Sequence, residues 1–218
     1  TGGAFDITYD SVGQLYDFRD RQRPDQAQIE QGLAAIDYRF VQLAPNGSSI
    51  AFAREGVRIN LGGIAKGYAV EQVIAGLRQA GVQSALATAG GDTRLLGDRW
   101  GKPWLVGIRN PDDKEGLVTR LALVDEAIST SGDYERFFDE GGVRYHHILQ
   151  PDTGNPAREL RSVTVIGPDA TLTDGLATSI FVLGTDAGLD LIESLPDYEA
   201  LLIPGSGSLR YSSGLDPR

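Results

Sequence analysis

Between Val57 and Gly90 the chain reads VRINL, GGIAKG, YAVEQVIAGLRQA and then SALATAG, and no other stretch narrows the possible folds as much. Alternation in the first piece predicts a strand, the apolar positions Val70, Val73, Ile74 and Leu77 predict a helix, and the last piece predicts another strand. Gly81 stands where a left-handed residue would close the helix. The link between the first strand and the helix is rich in glycine, so the backbone there can approach a ligand, and the free N–H groups and positive dipole end of the helix would attract an anion. Lys66 would add a point charge beside them. The spacing is neither GxxxxGK[ST] nor GxGxxG, so neither named nucleotide motif applies, and a plain tight turn stays open as the alternative.

Around this unit the chain is mostly short strands. Asp25 to Ala35 predicts a short helix, and Phe40 to Leu43 with Ser49 to Phe52 predict a hairpin about the turn signal PNGS. In FDITYDSVGQLYDF the pattern suggests a strand end passing into a helix, and GGDTRLLG at 90–97 reads as a second glycine turn. KPWLVGIRNP predicts one strand, LVTRLALVDEAISTSG two, RYHHILQPDTGNP a strand entering a turn, and RSVTVIG another strand. LTDGLATSIFVLG predicts a helix with its apolar face on Leu172, Leu176, Ile180 and Leu183, followed by the helical LDLIESL, the strand ALLIP and an edge strand near the end. Strands outnumber helices and many connect as hairpins, so the expected class is α+β with a mostly antiparallel sheet, as a single domain over 1–218.

Composition removes several functions. Thirty acidic residues against 20 Lys plus Arg give a formal charge of −10, with no basic stripe carrying aromatics, which disfavours nucleic acid. There is no cysteine, so thiolate nucleophiles and Cys-ligated metals are excluded. The opening TGGAFDITYD has no initiator Met and no charged, apolar leader, so an N-terminal part with a signal segment is expected to precede it.

Three further groups could carry chemistry. In LTDGLATS, Asp174 and Thr178 lie four apart on one helix face, and a carboxylate with a hydroxyl suits a hard cation such as Mg²⁺; a carboxylate stabilised by a helix dipole is the alternative. Both histidines of the chain, His146 and His147, are neighbours in RYHHILQPDTGNP, so in a strand at most one faces a given site, where a neutral imidazole could act as general base. ISTSGDYERFF carries Thr130, Ser131 and Gly132, a small-residue turn that could line an anionic ligand or cap itself.

Taken in order, GGAFDITYDSVGQLYDF, INLGGIAKGYAVEQV, ALATAGGD, WLVGIRNP, ISTSGDYERFF, YHHILQPDTGNP and SVTVIGPDATLTDGLATSIFVLG resemble the ApbE-type FAD:protein FMN transferases over nearly all of the chain. The resemblance implies an ApbE-like, T-fold-related domain. It implies Mg²⁺ held by Asp174, Thr178 and the carbonyl of Gly63. FAD contacts are implied at Ala4, Phe5, Asp6, Asn60, Lys66, Thr130, Ser131, Gly132 and Ile148, with catalysis by His147 and Asp174. The implied reaction splits FAD, releases AMP and places FMN on a threonine of an acceptor flavoprotein, such as a subunit of a membrane redox pump. Hydrolysis of FAD to FMN and AMP, or FAD binding without catalysis, are the alternatives. Asn60 stands where the family usually has Asp, which removes a negative charge beside the flavin and metal. The family's setting implies the bacterial periplasm or the outer face of the inner membrane, with lipoprotein anchoring.

Overall fold

A computed structural model describes residues 12–206 and 208–215. The sequence expectations for Ala4, Phe5 and Asp6, and for the strand that opens the chain, lie outside the described residues. The described chain opens with a 3₁₀ turn, Gly13–Leu15, and the short helix α1 (Gln26–Leu33). A capping box starts α1: Asp25 accepts from the Gln28 N–H at 2.8 Å and the Gln28 side chain accepts from the Asp25 N–H at 2.9 Å. The expected hairpin follows as β1 (Val41–Leu43) and β2 (Ile50–Phe52).

Helix α2 (Ala65–Gln79) leads into β3 (Ala85–Ala89), which turns through Gly90 and Gly91 into β4 (Asp92–Leu96). Both glycines have positive φ, +57° and +102°, as a two-residue hairpin that follows strand twist requires. Gly81, at φ +84°, ends α2, and the Val82 N–H reaches back to the Leu77 carbonyl at 3.0 Å. A long ribbon of β5 (Trp104–Asn110) and β6 (Asp113–Leu123) precedes β7 (Ala127–Gly132) and the hairpin of β8 (Phe137–Glu140) and β9 (Val143–His146). The chain continues through β10 (Leu160–Gly167), α3 (Ala170–Leu183), α4 (Thr185–Glu193), β11 (Glu199–Pro204) and β12 (Arg210–Tyr211).

Six strands make the central sheet in the order β12-β11-β10-β7-β4-β3, with every pairing antiparallel. The sheet is covered on both faces. Val163, Val165, Ala200 and Leu202 point to the helices and pack on Ala177, Ile180 and Phe181 of α3. Their neighbours Ile166, Leu201 and Ile203 point the other way and pack on Ile108 and Leu123 of the β5–β6 ribbon. Two covered faces explain why β11 reads as an almost continuous apolar run, and why β10 is buried along nearly all of its length despite Ser162 and Thr164. Among the described residues no helix is long and apolar enough to cross a membrane.

Four local expectations are corrected. VRINL forms no strand: Val57 is buried, but the stretch pairs with no strand among the described residues, and α2 begins at Ala65, so AKG is helical. GGDTRLLG is a turn only at its two glycines and then becomes β4, and Thr130-Ser131-Gly132 is not a turn but the end of β7, paired with β10. In α3 the inward face carries Ala170, Thr173, Asp174, Ala177, Ile180 and Phe181, while Leu172 and Leu183 are 53% and 50% exposed. Of the expected face, Ile180 is fully buried and Leu176 packs on the core, but Leu172 and Leu183 fall outside it, because the rest of the inward face is made of small and polar residues that let α3 approach its neighbours closely.

Candidate functional site

Helices α2 and α3 cap one another. No side chain of its own loop caps α2; instead Asp174 of α3 accepts the Gly67 N–H of the first turn of α2 through Oδ2 at 3.0 Å. In return Glu71 of α2 accepts the Ala170 N–H at the start of α3 at 2.9 Å, beside the N-cap Asp169. The exchange needs close approach, and Gly67 permits it: a Cβ there would lie 2.0 Å from the Ala170 carbonyl oxygen and 2.8 Å from the Asp174 Cβ. Asp174 is therefore a carboxylate at a positive helix end, but at that of α2 and not of its own helix.

One residue earlier, Lys66 reaches over to β4. Its Nζ forms a close ion pair with Asp92 Oδ2 and stands 3.4 Å from Asp174 Oδ1. Burial works against the ammonium, but Asp92 and Asp174 outweigh it and hold Lys66 above the ordinary lysine range. Burial and the negative charge of Asp92 push Asp174 up to about 6, against the Gly67 N–H and Lys66, which pull it down. Asp92, 1% exposed, is a residue that sequence reading missed, because an acid after two glycines reads as a turn residue. The usable signal was alternation: Asp92 and Arg94 are two apart on one strand, and Arg94 pairs with Glu71 of α2 at 3.3 Å.

Across the cavity, β7 presents hydroxyls. Ser131 Oγ lies 3.0 Å from Thr178 Oγ1 and Ser129 Oγ 2.9 Å from Thr173 Oγ1, tying β7 to α3, while Thr130 points to the other face and pairs with Thr164 at 2.9 Å. The two histidines separate as strand geometry demands. His146 is structural: its Nε2 bonds the Ala157 carbonyl at 2.6 Å, its Nδ1 accepts the Ile148 N–H at 3.3 Å, and its ring meets Phe181 edge-on. His147 faces the cavity, and its buried Nδ1 has no hydrogen-bond partner among the described residues. Burial, then the charges of His146 and Arg136, lower His147 to about 4, so its ring is neutral at physiological pH.

These groups surround one cavity of about 510 Å³, within the range of small-molecule sites. Asn60, Gly63, Lys66, Asp174 and Thr178 line it together with Thr130, Ser131, Gly132, His147 and Ile148. Asn60 Oδ1 accepts the Gly62 N–H at 2.6 Å, which folds the glycine loop back toward the cavity. Glu135 and Arg136 also reach the cavity and were not singled out in the sequence, where they look like solvated charges.

Among the described residues no three His, Cys, Asp or Glu side chains gather as a metal site. The donor set here is of another kind, one carboxylate with a hydroxyl and a carbonyl. Its chemistry fits a hard divalent cation, since the donors are all oxygens and the charge of Asp174 is disfavoured by burial and by Asp92, a penalty that a cation would relieve.

The model of the ApbE family matches residues 1–202. A "FAD:protein FMN transferase" of Treponema pallidum is 34% identical over 238 residues, covering 100% of this chain and 65% of its own length. One of Klebsiella pneumoniae is 34% identical, covering 96% of this chain and 66% of its own length. The chain thus spans just under two thirds of these relatives. The crystal structure of the ApbE protein of Thermotoga maritima superposes with a TM-score of 0.86 at 35% identity, covering 97% of this chain and 71% of that one. The flavin transferase ApbE of Vibrio cholerae gives 0.83 at 30% identity, covering 97% and 69%.

Proposed function

Because the chain belongs to the ApbE family, we propose that it is the FAD-binding and catalytic part of an Mg²⁺-dependent FAD:protein FMN transferase, with a threonine hydroxyl as acceptor and AMP as the product released. The observation that carries this reading is the placement of a neutral imidazole, His147, whose Nδ1 has no hydrogen-bond partner among the described residues, on the same cavity as Lys66, Asp174 and Thr178.

Lys66 would hold the pyrophosphate through its ammonium, since the Ala65, Gly67 and Tyr68 N–H groups at the start of α2 are already taken by Leu61, Asp174 and Ile64. Asp174, Thr178 and the Gly63 carbonyl would hold the cation, which when bound offsets the negative charge of the pyrophosphate oxygens. The acceptor oxygen forms a bond to the phosphorus of the FMN half, the P–O bond to the AMP half breaks, and AMP leaves with the bridging oxygen. The proton of the threonine would pass to the His147 imidazole. The positive neighbours that depress this ring favour its neutral form, and the anionic substrate beside it would raise its proton affinity by the same Coulombic argument with opposite sign. Acceptors exposed at the outer face of a bacterial inner membrane, including redox-pump subunits, are the partner class proposed.

The test is incubation with FAD and Mg²⁺, with and without a threonine-bearing acceptor, resolving AMP, FMN and protein-bound flavin. Flavin on the acceptor in a denaturing gel, lost in Asp174→Ala, is expected. His147→Ala is expected to lower transfer by roughly 10²–10⁴-fold while FAD affinity changes little. AMP and free FMN formed at full rate without acceptor would make the protein a pyrophosphatase, and FAD binding with neither product would make it a binding protein.

A further inference from the structure

Asp92 does not line the cavity, yet it is the residue to which the cavity's lysine is tied. The tie is built from several sides. Gly90 and Gly91 turn the chain so that Asp92 starts β4 beneath α2, and the Thr88 hydroxyl holds the Asp92 carbonyl at 3.1 Å. The stem of Lys66 lies against Gly90, where a Cβ would come within 3.0 Å of its Cδ. Asp174 has one oxygen engaged by the Gly67 N–H, so Oδ1 is the edge left for a cation, and Lys66 Nζ stands 3.4 Å from that edge. Without its closer partner the ammonium would have Asp174 as the remaining carboxylate within reach.

We propose that Asp92 is a positioning residue that holds Lys66 away from the free edge of Asp174, so that the lysine serves the phosphates of the substrate and the carboxylate serves the divalent cation. The inference rests on the cation reading of Asp174 given above. It assigns Asp92 no contact with substrate or cation; its whole effect passes through Lys66. A direct ligand role for Asp92 is the competing possibility, and the two differ in what happens when the lysine is gone.

Mn²⁺ binding to the full chain, without nucleotide, is followed by calorimetry in wild type, Asp92→Asn, Lys66→Met and the double variant. Asp92→Asn is expected to weaken Mn²⁺ binding about tenfold or more, the usual scale for residues that orient a metal ligand. Lys66→Met is expected not to weaken it, and the double variant to bind as Lys66→Met does, within about twofold, because the two residues are in contact and the Asp92 effect has no route once the lysine is gone. An Asp92→Asn loss that persists in the Lys66→Met background, or no loss in either background, overturns the proposal. Should Asp92→Asn alone fail to fold, the double variant, which leaves neither charge unpaired, decides between the same outcomes. Asp174→Asn is the separate control. Unchanged Mn²⁺ binding there overturns the cation reading and the proposal together, whereas loss there combined with a persisting Asp92 effect overturns the proposal alone.

Discussion

Gly67 sets the spacing of the site more than any charged residue does. Alanine is favoured over glycine in a helix by up to about 1 kcal/mol. Here the added methyl would meet a backbone carbonyl at 2.0 Å, which no rotamer change relieves, so the helices must part. Gly67→Ala is therefore expected to destabilise by about 1–3 kcal/mol, the scale of overpacking, in a denaturant titration, and to lose the Asp174 contact with α2. Asp174 also carries a pH signature. With its value near 6, the carboxyl is protonated below that pH and cannot hold a cation, so Mn²⁺ affinity is expected to rise as pH increases through 6 and to level off above it. Titrations across that range check the sign. Single residues were legible in the sequence where their chemistry was unusual, as with Lys66, His147 and the Asp174–Thr178 pair. Asp92 was not, because its importance comes from a partner 26 positions away across a strand and a helix.

At the level of elements, α3 is the clearest contrast between pattern and packing. Its sequence has enough leucine to draw a stripe through Leu172 and Leu183, but half-exposed leucines lie on that stripe and the close contacts lie on the alanine, threonine and aspartate side. Ile180→Ala, in the core between the sheet and α4, is expected to cost about 2–5 kcal/mol, while Leu172→Ala should stay within about 0.5 kcal/mol. Equal losses in thermal or chemical unfolding would contradict this orientation. The existence of α2, α3, α4, the β1–β2 hairpin and the outer strands followed from periodicity, since each is long or flanked by clear turns. The end of β7 did not, because Thr-Ser-Gly has the composition of a turn and becomes strand through its pairing with β10. VRINL failed in the reverse direction: its alternation fits a strand, but it joins no strand among the described residues.

On the scale of the whole molecule, acid is expected to loosen the fold, and the sign follows from seven groups. His146 and His147 are both depressed by burial from the ordinary 6.5 to about 4, so as pH falls through that window the unfolded chain binds protons that the folded chain does not, and stability drops. Asp174, raised from 3.8 to about 6, acts oppositely over nearly the same range, since the folded form then binds the extra proton. Glu126 and Asp133, raised by burial, act with Asp174, while Asp37 and Glu159, lowered by their hydrogen bonds, act with the histidines, so four groups against three leave a net loss, which a fall in melting temperature between pH 6.5 and 4 would register. The antiparallel α+β class was readable because hairpin signals are local; the order β12-β11-β10-β7-β4-β3, which places β7 between β10 and β4, was not, because it depends on contacts far apart in the chain. The same long-range assembly governs the cavity, whose walls come from the Asn60 loop, the Gly90 turn, β7, the segment after β9 and α3. These pieces run from Asn60 to Val182 and meet only when the sheet and helices assemble, so a ligand is gripped by the assembled fold or scarcely at all. Ligand supply then becomes a term in the protein's survival: at a hundredfold excess over Kd it adds about 2.7 kcal/mol, and a starved molecule is the one most open to proteolysis.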